Sequence, residues 1–221
     1  MRHARNFERA DLPGLLTFLG ALAAERWPAP SLLMNSDLAW QLPGSGPKDN
    51  LRLWFDDDVL RAFAWFQPPG HLHFDAWPGH EYLLEAALAW AHDRRRAFPA
   101  DEPFHLALES MEQWADVVRS LADRPPATAR CLVVQALEGD AAREALLRAQ
   151  GFEPTDHHEP FLTLEFAKAP PRAATPAGFT VRAVREAEFG ARIAAHRAAW
   201  APSTGFDAAF YGRVRALAPP Q

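Results

Sequence analysis

Three residues that can ligate a metal ion alternate along one short segment, at His71, His73 and Asp75. In a β-strand, alternate residues face the same side and lie about 6 to 7 Å apart. Two imidazoles and a carboxylate on one face can converge on a divalent metal ion, which would activate a water molecule. The spacing therefore allows the chemistry of a metal-dependent hydrolase.

The same segment has a structural interpretation, in which the polar residues form one sheet face and the apolar residues between them pack inward. The inward set is Leu72, Phe74 and Ala76. Ala76 also stands where the H-x-H-x-D motif of metallo-β-lactamase-fold hydrolases carries another histidine, and no other histidine has a spacing that selects it. The sequence favours the structural interpretation and predicts no bound metal, with the hydrolase as an alternative.

Composition excludes several classes of function. The chain of 221 residues has a formal net charge of −5, and its longest basic run is residues 94–96, which argues against nucleic acid binding. Cys131 is the single cysteine, so no internal disulfide can form, as is usual in a reducing compartment. Neither a signal-peptide core nor an apolar run of about 18 residues is present. We expect a cytoplasmic protein that neither spans nor binds a membrane.

Periodicity places these residues on elements. Four leucines at helical spacing predict an amphipathic helix that Asp11 caps and that ends near Trp27. The leucines are Leu12, Leu15, Leu19 and Leu22. Three strand-like segments with turn residues between them then predict an antiparallel meander. They cover residues 51–55, 59–66 and 71–77.

Helices and strands alternate beyond the meander. The expected elements are a helix over residues 80–96, a strand over 104–108, a helix over 111–121, a strand over 130–136, a helix over 141–150 and a strand over 161–166. Gly151 ends the helix before it, because a residue without a side chain adopts the left-handed C-cap conformation. A short helix is also expected within residues 31–50. This order predicts an α+β fold with a mixed sheet.

The chain also repeats its opening. One stretch runs from Arg9-Ala10 to Trp27-Pro28-Ala29-Pro30-Ser31, and another runs from Arg182-Ala183 to Trp200-Ala201-Pro202-Ser203. Both carry an amphipathic helical pattern, and Pro28 is interpreted as one inserted residue. The repeat predicts a duplicated unit. The expected domains are residues 1–167, a proline-rich linker over 168–178, and the start of a second, incomplete copy over 179–221.

The order of elements and the closing segment E-A-L-L-R-A-Q-G-F-E-P, residues 144–154, resemble the GNAT superfamily of acetyl-CoA-dependent acetyltransferases. Residues 195–203 resemble the start of the second copy in tandem GNAT proteins, the arrangement seen in mycothiol synthase. The resemblance spans residues 7–217. It implies a mixed, mostly antiparallel GNAT-like sheet flanked by helices. The activity implied is transfer of an acetyl group from acetyl-CoA to a small-molecule amine.

The resemblance also locates a cofactor loop. In the family, main chain after the fourth strand binds the pantetheine arm, and an R/Q-x-x-G-x-G/A loop opens the next helix and holds the pyrophosphate. The corresponding place here is residues 77–84, where Trp77, Gly79 and His80 are the implied cofactor contacts. This loop is shorter, and it lacks the arginine and the second glycine. Glu81 puts a negative charge where the pyrophosphate would lie, which predicts a degenerate loop.

Two further positions concern the catalytic groups that the resemblance implies. Leu147 occupies the position at which the family often has a tyrosine acid, and leucine cannot transfer a proton. Glu109 is the candidate base. The first copy is therefore expected to be structural or substrate-shaping. The alternative is a non-enzymatic interaction domain of the same fold, in which residues 186–217 dock on the first domain or on another chain.

Overall fold

A computed structural model describes residues 2–26, 33, 38, 48–67, 70–97, 132–155, 174–201 and 206–217. The chain divides into two compact units, Met1–His157 and His158–Gln221. None of the helices within the described ranges has the length and apolar character needed to cross a membrane.

The described strands of the N-terminal unit form one five-stranded sheet in the order β1-β2-β3-β4-β5. Neighbouring strands from β1 to β4 are antiparallel, and β5 is parallel to β4. The elements are β1 His3–Asn6, α1 Leu12–Arg26, β2 Leu51–Asp56, β3 Val59–Gln67, β4 His71–Ala76, α2 Tyr82–Ala97, β5 Val133–Val134 and α3 Ala141–Ala149. The unit is thus an α+β fold with a mixed, mostly antiparallel sheet, as the sequence predicts.

The predicted meander is confirmed. Asp57 and Asp58 connect β2 to β3, and both have positive φ angles, of 47° and 61°. A two-residue turn with both residues in the left-handed region matches the twist of the strands that it joins. Aspartate tolerates this conformation better than most residues, because its side chain can hydrogen-bond to the nearby backbone.

The strand β1 was not predicted from the sequence. This strand pairs with β2 in the register His3↔Phe55 and Arg5↔Leu53, and the Phe7 amide extends the pairing by donating to the Leu51 carbonyl at 2.8 Å. It is a short edge strand without an apolar alternation, so periodicity gives no signal for it.

Asp11 does not cap α1 in the predicted way. It ends a 3-10 turn, Arg9–Asp11, that precedes the helix. Its carboxylate accepts a hydrogen bond from the Glu8 amide at 2.7 Å and pairs with the Arg5 guanidinium, whose Nη1 lies 2.6 Å away. We call residues 5–11 the first ion-paired turn. The helix boundary was predicted correctly, but the acidic residue stabilises the turn before the helix.

Helices cover both faces of the sheet. On one face, α2 packs its apolar stripe onto β3 and β4. The cluster includes Ala62, Ala64, Phe66, Leu72, Phe74, Ala76, Leu84, Ala87, Leu88 and Ala91. The prediction that Leu72, Phe74 and Ala76 pack inward is confirmed. On the other face, α1 buries its own stripe, and the rings of Phe18 and Phe63 meet edge to face at 6.2 Å.

The end of the described N-terminal unit also follows the sequence. The Asp140 carboxylate accepts a hydrogen bond from the Arg143 amide at 3.1 Å and caps α3. Gly151 has a φ of 81° just beyond the helix, as predicted. Several predicted elements lie outside the described residues. They are the strand at 104–108 with Glu109, the helix at 111–121, the strand at 161–166 and most of the segment 31–50.

The C-terminal unit contains a 3-10 turn, Glu186–Glu188, followed by α4 Phe189–Ala199 and α5 Ala208–Leu217. Aromatic contacts join the two helices: the rings of Phe189 and Tyr211 lie 5.3 Å apart, and those of His196 and Phe206 lie 4.0 Å apart. No side chain of α4 is buried in the described part of the chain.

The start of α4 repeats the start of α1 in detail. The Arg182 guanidinium pairs with Glu188, and the Glu188 carboxylate accepts from the Arg185 amide at 2.9 Å. We call residues 182–188 the second ion-paired turn. In both turns the arginine precedes its acidic partner by six positions, so Arg182 is equivalent to Arg5 and Glu188 to Asp11.

This geometry corrects the alignment of the repeat. Arg182 corresponds to Arg5, not to Arg9. The stretch from Arg182 to Trp200 is then four positions shorter than the stretch from Arg5 to Trp27. The helix α1 has 15 residues and α4 has 11, which gives the same difference of four. About one turn of helix therefore separates the two stretches, and a single inserted proline does not account for their difference.

Candidate functional site

A buried ion cluster lies at the carboxyl end of β4. The Asp75 side chain is 5% exposed, and it accepts hydrogen bonds from two arginines on different helices. Arg26 Nη2 donates to Oδ1 at 2.8 Å, and Arg143 Nη2 donates to the same oxygen at 2.7 Å. We call these three residues the Asp75 cluster. It connects the last residue of α1 and the first turn of α3 to the sheet.

Side chains of the Asp75 cluster also form hydrogen bonds with main-chain groups of β4. Arg143 Nη1 donates to the Phe74 carbonyl at 3.1 Å, and Arg26 Nη2 donates to the Ala76 carbonyl at 3.1 Å. The Ala76 amide donates to the Asp75 carboxylate at 2.9 Å. These main-chain groups at the end of the strand are therefore already satisfied from within the chain.

The electrostatics of the cluster explain its stability. Burial lowers the pKa of Arg26, but the hydrogen bond and the charge of Asp75 together outweigh it, so that the net pKa lies above the ordinary value. Arg143 is buried, and its guanidinium lies 5.0 Å from the centre of the Phe74 ring. Its Nε lies 3.4 Å from the Asp140 carboxylate. A buried charge needs such partners, because breaking a buried pair leaves an uncompensated ion.

The structure describes pairing between β4 and β5 at His71↔Val133 and Leu72↔Val134, and β4 then continues without a described strand on that side. Beyond the end of β5, the Arg143 side chain extends from α3 to Phe74 and Asp75 of β4. One cavity beside β4 measures about 10 Å³, and its lining includes Leu19, Phe63, His73, Asp75, Gln135 and Arg143. That volume has room for about one water molecule.

The loop after β4 contains the three implied cofactor contacts. Trp77 packs against Phe18 of α1, with ring centres 6.2 Å apart, and its carbonyl accepts from the His80 amide at 2.9 Å. Gly79 has a φ of 84° and is exposed. Its amide donates to the Glu81 carboxylate at 2.9 Å. A carboxylate of the chain itself therefore engages a main-chain amide of this loop.

His71 and His73 lie against each other, with ring centres 4.3 Å apart. The ring of Trp65 lies 5.6 Å from that of His73. Burial lowers the pKa of His71 to about 4, and burial together with the neighbouring His71 lowers the pKa of His73 well below its ordinary value. Both imidazoles are therefore neutral near pH 7.

The three residues of the alternative metal site, His71, His73 and Asp75, do not form a common site in the structure. The Asp75 carboxylate faces two guanidinium groups, which would repel a cation. No group of three His, Cys, Asp or Glu side chains within the described ranges is arranged to hold a metal ion. The interpretation of these residues as a polar face opposite an inward apolar face is incomplete, because α1 covers the sheet on this side as well and Asp75 is buried.

Leu147 belongs to the core between α3 and the sheet, in the same cluster as Phe74 and Leu88. It is buried, and its carbonyl accepts from the Phe152 amide at 3.0 Å. The position at which the resemblance implies a tyrosine acid is therefore an apolar packing position. Glu109, the implied base, lies outside the described residues.

Sequence reasoning missed Arg26 and Arg143, although a signal was present. Arg26 follows Leu22 by four positions on the buried stripe of α1, and Arg143 precedes Leu147 by four positions on that of α3. Residues four apart share a helix face. An arginine on an apolar stripe needs a buried acidic partner, and Asp75 is the acidic residue of β4.

No family model matches the chain, and no curated protein matches it. One similar solved structure is an acetyltransferase of the GNAT family from Streptococcus pneumoniae, at 19% identity over 42% of this chain and 68% of that one, with a TM-score of 0.32. Another is AAC(6')-Iy in complex with the bisubstrate analogue CoA-S-monomethyl-acetylneamine, at 12% identity over 75% of this chain and 99% of that one, with a TM-score of 0.38.

Proposed function

We propose that the N-terminal unit is a GNAT-like domain whose acetyl-CoA site is closed by its own side chains. The support comes from the sequence segment at residues 144–154 and from the order of elements. An antiparallel meander is followed by a helix, a strand parallel to β4 and a further helix. Such a unit would stabilise or shape a substrate site, and it would not transfer acetyl groups itself.

One observation carries this proposal: main-chain groups of Phe74, Ala76 and Gly79 are already hydrogen-bonded to side chains. The Phe74 and Ala76 carbonyls accept from the two arginines of the Asp75 cluster, and the Gly79 amide donates to Glu81. In the family, main chain after the fourth strand binds the pantetheine arm, and the loop that opens the next helix holds the pyrophosphate. Gly79 lies in the corresponding loop here, and Phe74 and Ala76 lie in the strand just before it. A cofactor would have to displace these side chains.

The expected penalty for displacing them is large. Separating a buried ion pair costs about 3 to 5 kcal/mol. A penalty of that size weakens binding by a factor of about 100 or more. Glu81 adds repulsion, because its carboxylate lies at the loop that the pyrophosphate would approach. The leucine at position 147 also removes the acid that would protonate a departing thiolate.

Calorimetric titration of the full chain with acetyl-CoA tests this proposal. We expect no binding at micromolar concentrations. Glu81→Gln should strengthen any residual binding by a few-fold, because it removes the charge and keeps the side-chain size. Glu85→Gln is the matched control, since Glu85 lies in the helix that follows the loop. Micromolar binding by the unaltered chain would refute the proposal.

A turnover assay tests the chemical part. The substrate class implied by the resemblance is a small-molecule amine. When the full chain is incubated with acetyl-CoA and a panel of primary amines, we expect release of free thiol at the uncatalysed rate only. A rate that rises in proportion to protein concentration would show that the N-terminal unit supports catalysis with an acid other than residue 147.

The proposal includes a duplicated architecture, in which the C-terminal unit begins a second copy of the fold. The support is the repetition of the ion-paired turn, since the same four polar contacts recur with the same spacing around Arg5 and Arg182. They are the guanidinium bond to the carbonyl of the next residue, the pairing with the carboxylate, the amide-to-carboxylate bond and the return amide-to-carbonyl bond.

A further inference from the structure

We draw no further inference here: the strongest candidate, the cavity of about 10 Å³ that His73, Gln135 and Arg143 line beside β4, belongs to the site already described and has room for about one water molecule.

Discussion

The two ion-paired turns have the same contacts but introduce helices with different surroundings. The helix α1 buries five side chains, whereas no residue of α4 is buried in the described part of the chain. The acidic side chain of the first turn, Asp11, is 14% exposed, and that of the second, Glu188, is 38% exposed. Neighbouring residues are therefore enough to build the turn, but burying the helix that follows requires a sheet.

The residue types at equivalent positions of α1 and α4 differ in the same way as the burial of the two helices. Leu15 and Leu19 of α1 correspond to Arg192 and His196 of α4. In α1 the leucines are buried. In α4 the polar side chains lie against the ring of Phe206, which Arg192 approaches to 5.5 Å. The α4 face can therefore tolerate contact with water, whereas the α1 face cannot.

The strongest destabilisation is expected where an ion pair is fully buried. Asp75→Ala should lower the free energy of unfolding of the N-terminal unit by about 3 to 5 kcal/mol, because Arg143 would be left buried without its carboxylate. Urea unfolding followed by tryptophan fluorescence measures this. Asp93→Ala removes an exposed carboxylate that also pairs with an arginine, and it should cost less than about 1 kcal/mol. Similar costs for the two variants would contradict the distinction between buried and exposed pairs.

The next largest loss of unfolding free energy is expected in α1, and an equivalent position in α4 serves for comparison. Leu19→Ala should lower the free energy of unfolding by about 2 to 5 kcal/mol, since it leaves a cavity beneath α1. His196→Ala, at the equivalent position of α4, should cost less than about 1 kcal/mol. The two costs are measured by urea unfolding under the same conditions. If His196→Ala costs as much as Leu19→Ala, α4 is buried in solution and the contrast between the helices is wrong.

A smaller effect concerns the pH dependence of the N-terminal unit. Burial lowers the pKa of His71 to about 4, whereas the unfolded chain has the ordinary value of 6.5. Between pH 6.5 and 4 the unfolded state therefore binds a proton that the folded state does not, so the free energy of unfolding falls as the pH falls. The slope is at most about 1.4 kcal/mol per pH unit for one histidine.

Measuring the unfolding free energy between pH 7 and 4.5 tests this, and His71→Gln should reduce the slope. The imidazole resonance of His71 should titrate near pH 4. A midpoint above pH 6 would contradict the burial of this ring. His92 serves as a reference for the His71 titration. It lies on α2 and contacts Phe152, and burial lowers its pKa as well.

The weakest effect concerns the turns themselves. Hydrogen bonding to Arg182 lowers the pKa of Glu188 to about 2 from an ordinary value of 4.5. The pair therefore contributes stability above pH 4.5 and loses it as the pH falls towards 2. Carboxyl resonances followed by NMR should show this midpoint, and Arg182→Gln should move it towards 4.5.

The first turn supplies the parallel measurement. Hydrogen bonding to Arg5 lowers the pKa of Asp11 below its ordinary value of 3.8, so Arg5→Gln should raise it. If only one of the two acidic groups responds to loss of its arginine, the two turns are not equivalent in solution. Neither substitution should change the fold of its helix, since the turn precedes the helix in both units.

Much of the N-terminal unit could be predicted from local patterns. The strands β2 to β4 follow from period-two alternation and turn residues, α2 follows from its apolar stripe, and the end of α3 follows from Gly151. Local patterns failed for β1, which lacks an apolar alternation, and for Asp11, whose partner Arg5 lies outside the helix. The cofactor loop at residues 77–84 stays a prediction. The hydrogen bond from the Gly79 amide to the Glu81 carboxylate was not predicted, because the sequence indicated only the negative charge of Glu81 at that place.

Local sequence was enough for most of the described elements and for the apolar character of position 147, whereas the duplicated unit stays a prediction. Packing alone established that Asp75 belongs to an ion cluster, because Arg26 and Arg143 lie 49 and 68 residues away in the chain. Periodicity within one element carries no information about such distances. Local hydrogen bonds set the backbone over a few residues, whereas a buried charge finds its partner only when distant helices pack on the same strand.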